Sequence, residues 1–217
     1  LSACYLPLIF MLLGLIFRGV AFEFRFKASD ERRHWWDKAF IGGSITASFF
    51  QGATLGAFVQ GIEVRGRSFG GGALDWLTPF SAFTGLGLIV AYALLGCTWL
   101  IFKTSGPLQT RMKELARPLT LGLLATIVVI SVWTPLTHDY IAQRWFTWPN
   151  MLWFAPVPVL VALAVWLLLR ALRGEPHAGP FVLTLALVFL GYSGLGISLL
   201  PTIVPPSILI LESASPP

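Results

Sequence analysis

YLPLIFMLLGLIFRGVAFEFRFKASDERRHWWDK, residues 5–38, is the stretch that decides the fold. From Tyr5 to Phe24 it is apolar almost without interruption, Arg18 being the one cation inside it. About twenty apolar residues, rising 1.5 Å each, cross the hydrocarbon core of a bilayer, so residues 5–24 read as a transmembrane helix. The run then empties into a charged segment with Arg25, Lys27, Asp30, Glu31, Arg32 and Arg33. Five of the chain's 15 Lys and Arg fall within residues 25–38. By the positive-inside rule this end of the helix faces the cytoplasm.

The whole chain has the composition of that first stretch. Of its 217 residues 56% are hydrophobic and only 12% are charged, whereas charged residues alone make up about a quarter of a soluble domain. A net charge of +5 invites a nucleic-acid reading. The cations, however, fall in alternate segments between apolar runs, which is a topology signal and not a phosphate-binding face, so no nucleic-acid partner is expected. Cys4 and Cys97 lie in apolar runs without C-x-x-C spacing and read as packing residues. The chain opens at Leu1 already close to a membrane segment and lacks a basic n-region and a cleavage site; it reads as an internal fragment of a longer protein.

Further spans follow at about 39–62, 79–102, 118–133, 151–172 and 180–200, giving an all-α integral membrane protein, a polytopic transmembrane helix bundle of about six spans in one domain over residues 1–217. In the second span Ser44, Ser48, Gly52 and Gly56 recur every fourth residue, a small face that lets helix backbones approach closely in lipid. Gly66, Gly70, Gly71 and Gly72 lack the Lys-Ser/Thr of a phosphate loop and read as an external turn. Thr78 followed by Pro79 supplies an N-cap and a first-turn proline for the third span. Residues 103–117 read as a second basic loop, with Pro118 opening the fourth span, and residues 135–150 as an interfacial loop carrying Trp145 and Trp148. Eleven Lys and Arg in the segments 25–38, 103–117 and 170–173 against three in the opposite loops, Arg65, Arg67 and Arg144, give one orientation. Residues 25–38, 103–117 and 170–179 are cytoplasmic in it, and Gly70 and Asn150 external.

Little chemistry is written along these spans. His34, His138 and His177 fall in loops, and none is spaced with a second ligand, so no metal or heme ligand is assigned. No nucleophile with a base and no carboxylate dyad appears, so no catalytic residue is assigned either. Arg18 is the exception, about 9 Å inside the cytoplasmic end of its helix. It either snorkels to the headgroups or faces a polar interior. Glu23, five residues on, lies on a different face, and its plain reading is a carboxylate paired with Arg25 or Lys27.

The residues also resemble a known family. The runs MLLGLIFRGVAFEFRFK (11–27), RRHWWDKAFIGGS (32–44), QGATLGAFVQGI (51–62), DWLTPFS (75–81), TGLGLIVAYALLGCTWLIFKT (84–104) and SLLPTIVPPSILILESASPP (198–217) are similar to subunit II of cytochrome bd quinol oxidase, including its cyanide-insensitive relatives. The resemblance implies a terminal oxidase of the aerobic respiratory chain in the bacterial inner membrane, which oxidises quinol and reduces oxygen to water. Hemes b and d are ligated mainly by subunit I, the heterodimeric partner, with room for a further small subunit. Subunit II supports assembly and lends polar residues to proton or heme-proximal paths. Arg18 matches the arginine of the family's F-R-x-V-x-F-[DE] stretch, and Glu23 its acidic residue. The family has more spans than the six counted here, which implies that at least the first and last helices are missing. The alternative, a transporter or permease fragment, lacks an inverted repeat or a pair of broken helices.

Overall fold

The computed structural model describes residues 3–61, 64–65, 68–137, 141–142, 145, 147–148, 155–174, 178–199, 202–204 and 208–209. His138, His177, Arg144 and Asn150 lie outside the described residues. Among the described residues six long helices carry the fold: α1 (Tyr5–Lys27), α2 (Asp30–Gln60), α3 (Pro79–Lys103), α4 (Pro107–Thr137), α5 (Pro156–Ala171) and α6 (Gly179–Leu199). Two short antiparallel pairs accompany them, β1 (Val64–Arg65) with β2 (Ser68–Phe69) and β3 (Thr202–Val204) with β4 (Ile208–Leu209). Helices α1, α3, α4 and α6 are each long and apolar enough to cross a membrane. At 31 residues α2 is long enough to span as well, but its serines, threonines and charged first turns dilute its hydropathy. The described part of α5 is a 16-residue apolar helix.

Two of the expected loops are largely helix. Between α1 and α2 only Ala28 and Ser29 are non-helical, both extended, so the charged segment 25–38 is the meeting point of two helices. Pro118 does not open α4 but sits inside it, as does Pro135; α4 begins at Pro107, directly after Gly106, whose φ of 75° turns the chain. A proline inside a membrane helix is tolerated where nearby groups satisfy the freed carbonyls.

The chain divides into two compact units, Leu1–Ile89 and Val90–Pro217. In the first, α1 and α2 form an antiparallel hairpin whose residues meet in reverse order. Arg25 Nε donates to Asp37 Oδ1 at 2.5 Å, Phe24 faces Trp36 at 5.1 Å, and Phe10 stacks on Phe50 at 4.9 Å. Helix α2 ends at Gly61, whose φ of 92° is open to glycine. The start of α3 follows the sequence signal. Thr78 Oγ1 accepts the Ser81 N–H at 3.0 Å while Ser81 Oγ accepts the Thr78 N–H at 2.9 Å, a reciprocal cap that satisfies two otherwise orphaned donors. Thr78 Oγ1 also donates to Gln60 Oε1 and so ties the end of α2 to the start of α3.

In the second unit the buried threonines are closed within their own helices. Thr98 donates to Leu94 O at 2.9 Å, Thr120 to Ala116 O at 2.7 Å and Thr184 to Pro180 O at 2.8 Å. Each hydroxyl reaches a carbonyl one turn back, which lets it be buried in apolar surroundings without an unmade hydrogen bond. Trp99 meets Phe181 edge to face at 5.1 Å, joining α3 to α6.

Candidate functional site

The site is built on glycines. Gly14 of α1 and Gly43 of α2 lie so close that a Cβ on Gly43 would stand 2.7 Å from Gly14 O and 2.9 Å from the backbone N of Arg18. A Cβ on Gly14 would stand 2.8 Å from the backbone N of Ala47. Arg18 is therefore held, by its backbone, one turn along the closest approach of the two helices. Its side chain is exposed, and its guanidinium carbon lies 5.3 Å from the ring centre of Phe40, a cation–π contact.

Glu23 is exposed and is not brought to Arg18. Among the described residues it forms no ion pair with Arg25 or Lys27, the two partners the plain reading offered: Arg25 is committed to Asp37, and Arg33 pairs with Asp30 at 2.7 Å. Residues two apart on a helix do not face each other, so Glu23 does not reach Arg25, whereas the short connection at Ala28 and Ser29 brings Asp37 back alongside it.

The small face of α2 divides between roles. A Cβ on Gly52 would stand 2.7 Å from Thr84 O and 2.8 Å from Gly85 Cα, and one on Gly56 would stand 2.7 Å from Ser81 Cα. Gly52 and Gly56 thus seat α2 against α3. Ser44 and Ser48 are half-buried and turn their hydroxyls onto their own helix, to Phe40 O at 2.7 Å and Ser44 O at 2.9 Å. Each step of four residues rotates about 40° around the helix, so a stripe from 44 to 56 turns through about 120° and cannot meet one partner throughout. The approach through Gly14 and Gly43 was missed by the sequence reading. The Gly42–Gly43 pair was its only signal, and it did not say which glycine faces inward.

Near the far end of the hairpin, Cys4, Ala53, Ala57 and Trp76 form a buried apolar cluster. Trp76 is 6% exposed, and its indole N–H has no hydrogen-bond partner among the described residues.

Heme iron takes axial His, Met, Cys or Tyr ligands. Among the described residues His34 is exposed on α2, Cys4 and Cys97 are buried free thiols, and no three His, Cys, Asp or Glu side chains converge on a metal position. No chemistry through heme is assigned to these residues.

Long apolar helices seated on small residues, with one arginine at a helix crossing, define a multi-pass membrane helix bundle. Over residues 1–217 the chain matches the family model for cytochrome bd terminal oxidase subunit II, and it belongs to that family. It is 26% identical over 246 aligned positions to cytochrome bd-I ubiquinol oxidase subunit 2 of Escherichia coli (strain K12), covering 98% of this chain and 64% of that relative. Identity to cytochrome bd ubiquinol oxidase subunit 2 of Bacillus subtilis (strain 168) is 24% over 208 positions, covering 94% of this chain and 59% of the relative. The chain spans less than two thirds of the length of these relatives. Those proteins are oxidoreductase subunits whose designation as the second implies a first, and a cytochrome family implies heme in the complex.

Proposed function

We propose that this chain is the structural core of the second subunit of a quinol-oxidising, oxygen-reducing terminal oxidase in a bacterial inner membrane. It braces a heme-bearing subunit I, which ligates hemes b and d and takes quinol, and it leaves the redox chemistry to that partner. Family membership along the whole chain carries the reading, and it favours an oxidase over a permease. The segments 25–38, 103–117 and 170–179 face the cytoplasm, on the strength of the charge bias.

Arg18 is the residue of this chain proposed to act beyond packing. Its backbone is fixed where α1 and α2 touch, while its guanidinium remains exposed beyond Phe40. An exposed arginine on an apolar helix needs a polar partner, and a carboxylate, a propionate or water at the seam with subunit I supplies one. Glu23, exposed on another face of α1, is assigned the same seam or its cytoplasmic rim. Arg18→Leu is expected to lower quinol-dependent oxygen uptake or heme content, because it leaves a buried anion unpaired at a cost of several kcal/mol. Arg18→Lys restores part of the loss, keeping the charge but not the planar fork. A wild-type heme spectrum and wild-type oxygen uptake in Arg18→Leu overturn the assignment.

A further inference from the structure

One end of the second unit gathers cations from three helices. Lys103 closes α3, Arg111, Lys113 and Arg117 line the first turns of α4, Arg170 lies in the last turn of α5 and Arg173 in the turn that follows it. Glu114 is the one carboxylate among the described residues of these segments. Three hydrogen bonds, from two side chains, hold the segments together. Gln109 Nε2 donates to Ile101 O at 2.8 Å and Thr104 O at 2.6 Å, which pins the start of α4 to the end of α3. Lys113 Nζ donates to Gly174 O at 2.8 Å, which pins α4 to the turn after α5. The positive charge is thus assembled by the fold and is not a property of one flexible tail.

The flanking aromatics give its depth. Lys103 Nζ lies 5.1 Å from the ring centre of Trp99 and 4.5 Å from that of Phe102, and Arg170 Cζ lies 5.5 Å from Trp166. Trp99 and Trp166 are themselves exposed. Tryptophan beside a cation at the end of an apolar helix marks the level of the lipid headgroups, where the ring meets acyl chain and the charge meets phosphate.

We propose that this end of the second unit binds the headgroup of an anionic phospholipid, with Lys103, Arg170 and Arg173 facing the phosphodiester and Trp99 and Trp166 bordering its glycerol and upper acyl chains. Charge complementarity commits the occupant: the surface is cationic, polar at its rim and apolar just below, which fits an anionic amphiphile and not a soluble anion. The site requires only that the chain resides in a membrane, so it does not depend on the oxidase reading.

The test uses the full-length protein, purified with whatever subunits accompany it. It is placed in nanodiscs of phosphatidylcholine alone or of phosphatidylcholine with phosphatidylglycerol, and retained lipid is identified by native mass spectrometry after extraction into detergent. Wild type is expected to retain phosphatidylglycerol selectively. The combined variant Lys103→Gln, Arg170→Gln, Arg173→Gln is expected to weaken retention about fivefold per cation, on the order of 100-fold in all. The charge-keeping variant Lys103→Arg, Arg170→Lys, Arg173→Lys retains the lipid and shows that charge is what matters. Equal retention of both lipids by wild type overturns the proposal even if the glutamine variant fails to fold. Unchanged selectivity in a folded glutamine variant overturns it as well, and displacement of phosphatidylglycerol by inorganic phosphate assigns the charge to a free anion instead.

Discussion

Gly42 and Gly43 are neighbours in sequence and opposites in the structure, and substituting each by alanine turns that difference into a measurement. A Cβ on Gly42 meets nothing within 4 Å. A Cβ on Gly43 stands 2.7 Å from a carbonyl oxygen and 2.9 Å from a backbone nitrogen of α1, neither of which has a flexible end to move aside. Ordinary contact begins at 3.4 Å, so α1 and α2 must separate by several tenths of an ångström along their crossing. Both variants gain the same helix propensity, about 1 kcal/mol for Gly→Ala in a helix interior. The difference between them therefore isolates the overpacking cost, about 1–3 kcal/mol. In thermal unfolding of the detergent-solubilised complex, Gly42→Ala is expected to match or exceed wild type and Gly43→Ala to fall below Gly42→Ala by that amount. Equal stability of the two refutes the close approach of α1 and α2, and with it the account of how Arg18 is positioned.

Thr78→Ala removes the cap of α3 and the tie to Gln60 and is expected to cost about 0.5–2 kcal/mol, with Thr78→Ser recovering most of it; chemical denaturation of the same complex reads the order of the three. Trp76→Phe keeps a ring against Phe50 and discards an indole N–H that has no partner among the described residues. Because an unmet buried donor carries a penalty of about 1–3 kcal/mol, this variant is expected to cost far less than the roughly 3–5 kcal/mol of Trp76→Ala. Similar losses for the two would mean that the N–H is in fact bonded. For sidedness, single cysteines at positions 70 and 105, in a background with Cys4→Ala and Cys97→Ala, are expected to react with an impermeant maleimide from outside the cell at 70 and not at 105. The reverse pattern inverts the topology.

The helices were legible where the sequence spoke of backbone and less so where it spoke only of polarity. Thr78 and Pro79 are conformational signals, and α3 starts where they say. Pro118 is the same kind of signal and misleads, because it lies inside α4 and not at its start. The basic segments read as loops through hydropathy, which reports where water is and not whether the chain is helical; Arg25, Arg33 and Arg111 are charged, yet all three are in helix. The spacing of Ser44, Ser48, Gly52 and Gly56 marked a small face, but a period of four drifts around a helix of 3.6 residues per turn. Only its Gly52 and Gly56 end meets α3. Arg18 stood out because charge is rare in an apolar run. That Gly43 lies against its backbone depends on the register of two helices, which no local pattern encodes.

The connection through Ala28 and Ser29 also bears on how the chain assembles. Closing a loop costs conformational entropy that grows with its length, and two residues are close to the least that can reverse a helix. Arg25 and Asp37, Phe24 and Trp36, and Arg18 and Phe40 are separated by 12, 12 and 22 residues, short distances along a chain of 217. Contacts of such low sequence separation form early. The α1–α2 hairpin can therefore zip from its charged end toward Phe10 and Phe50 as a local event, and the glycine surface that receives α3 is in place before the rest of the chain has to find it.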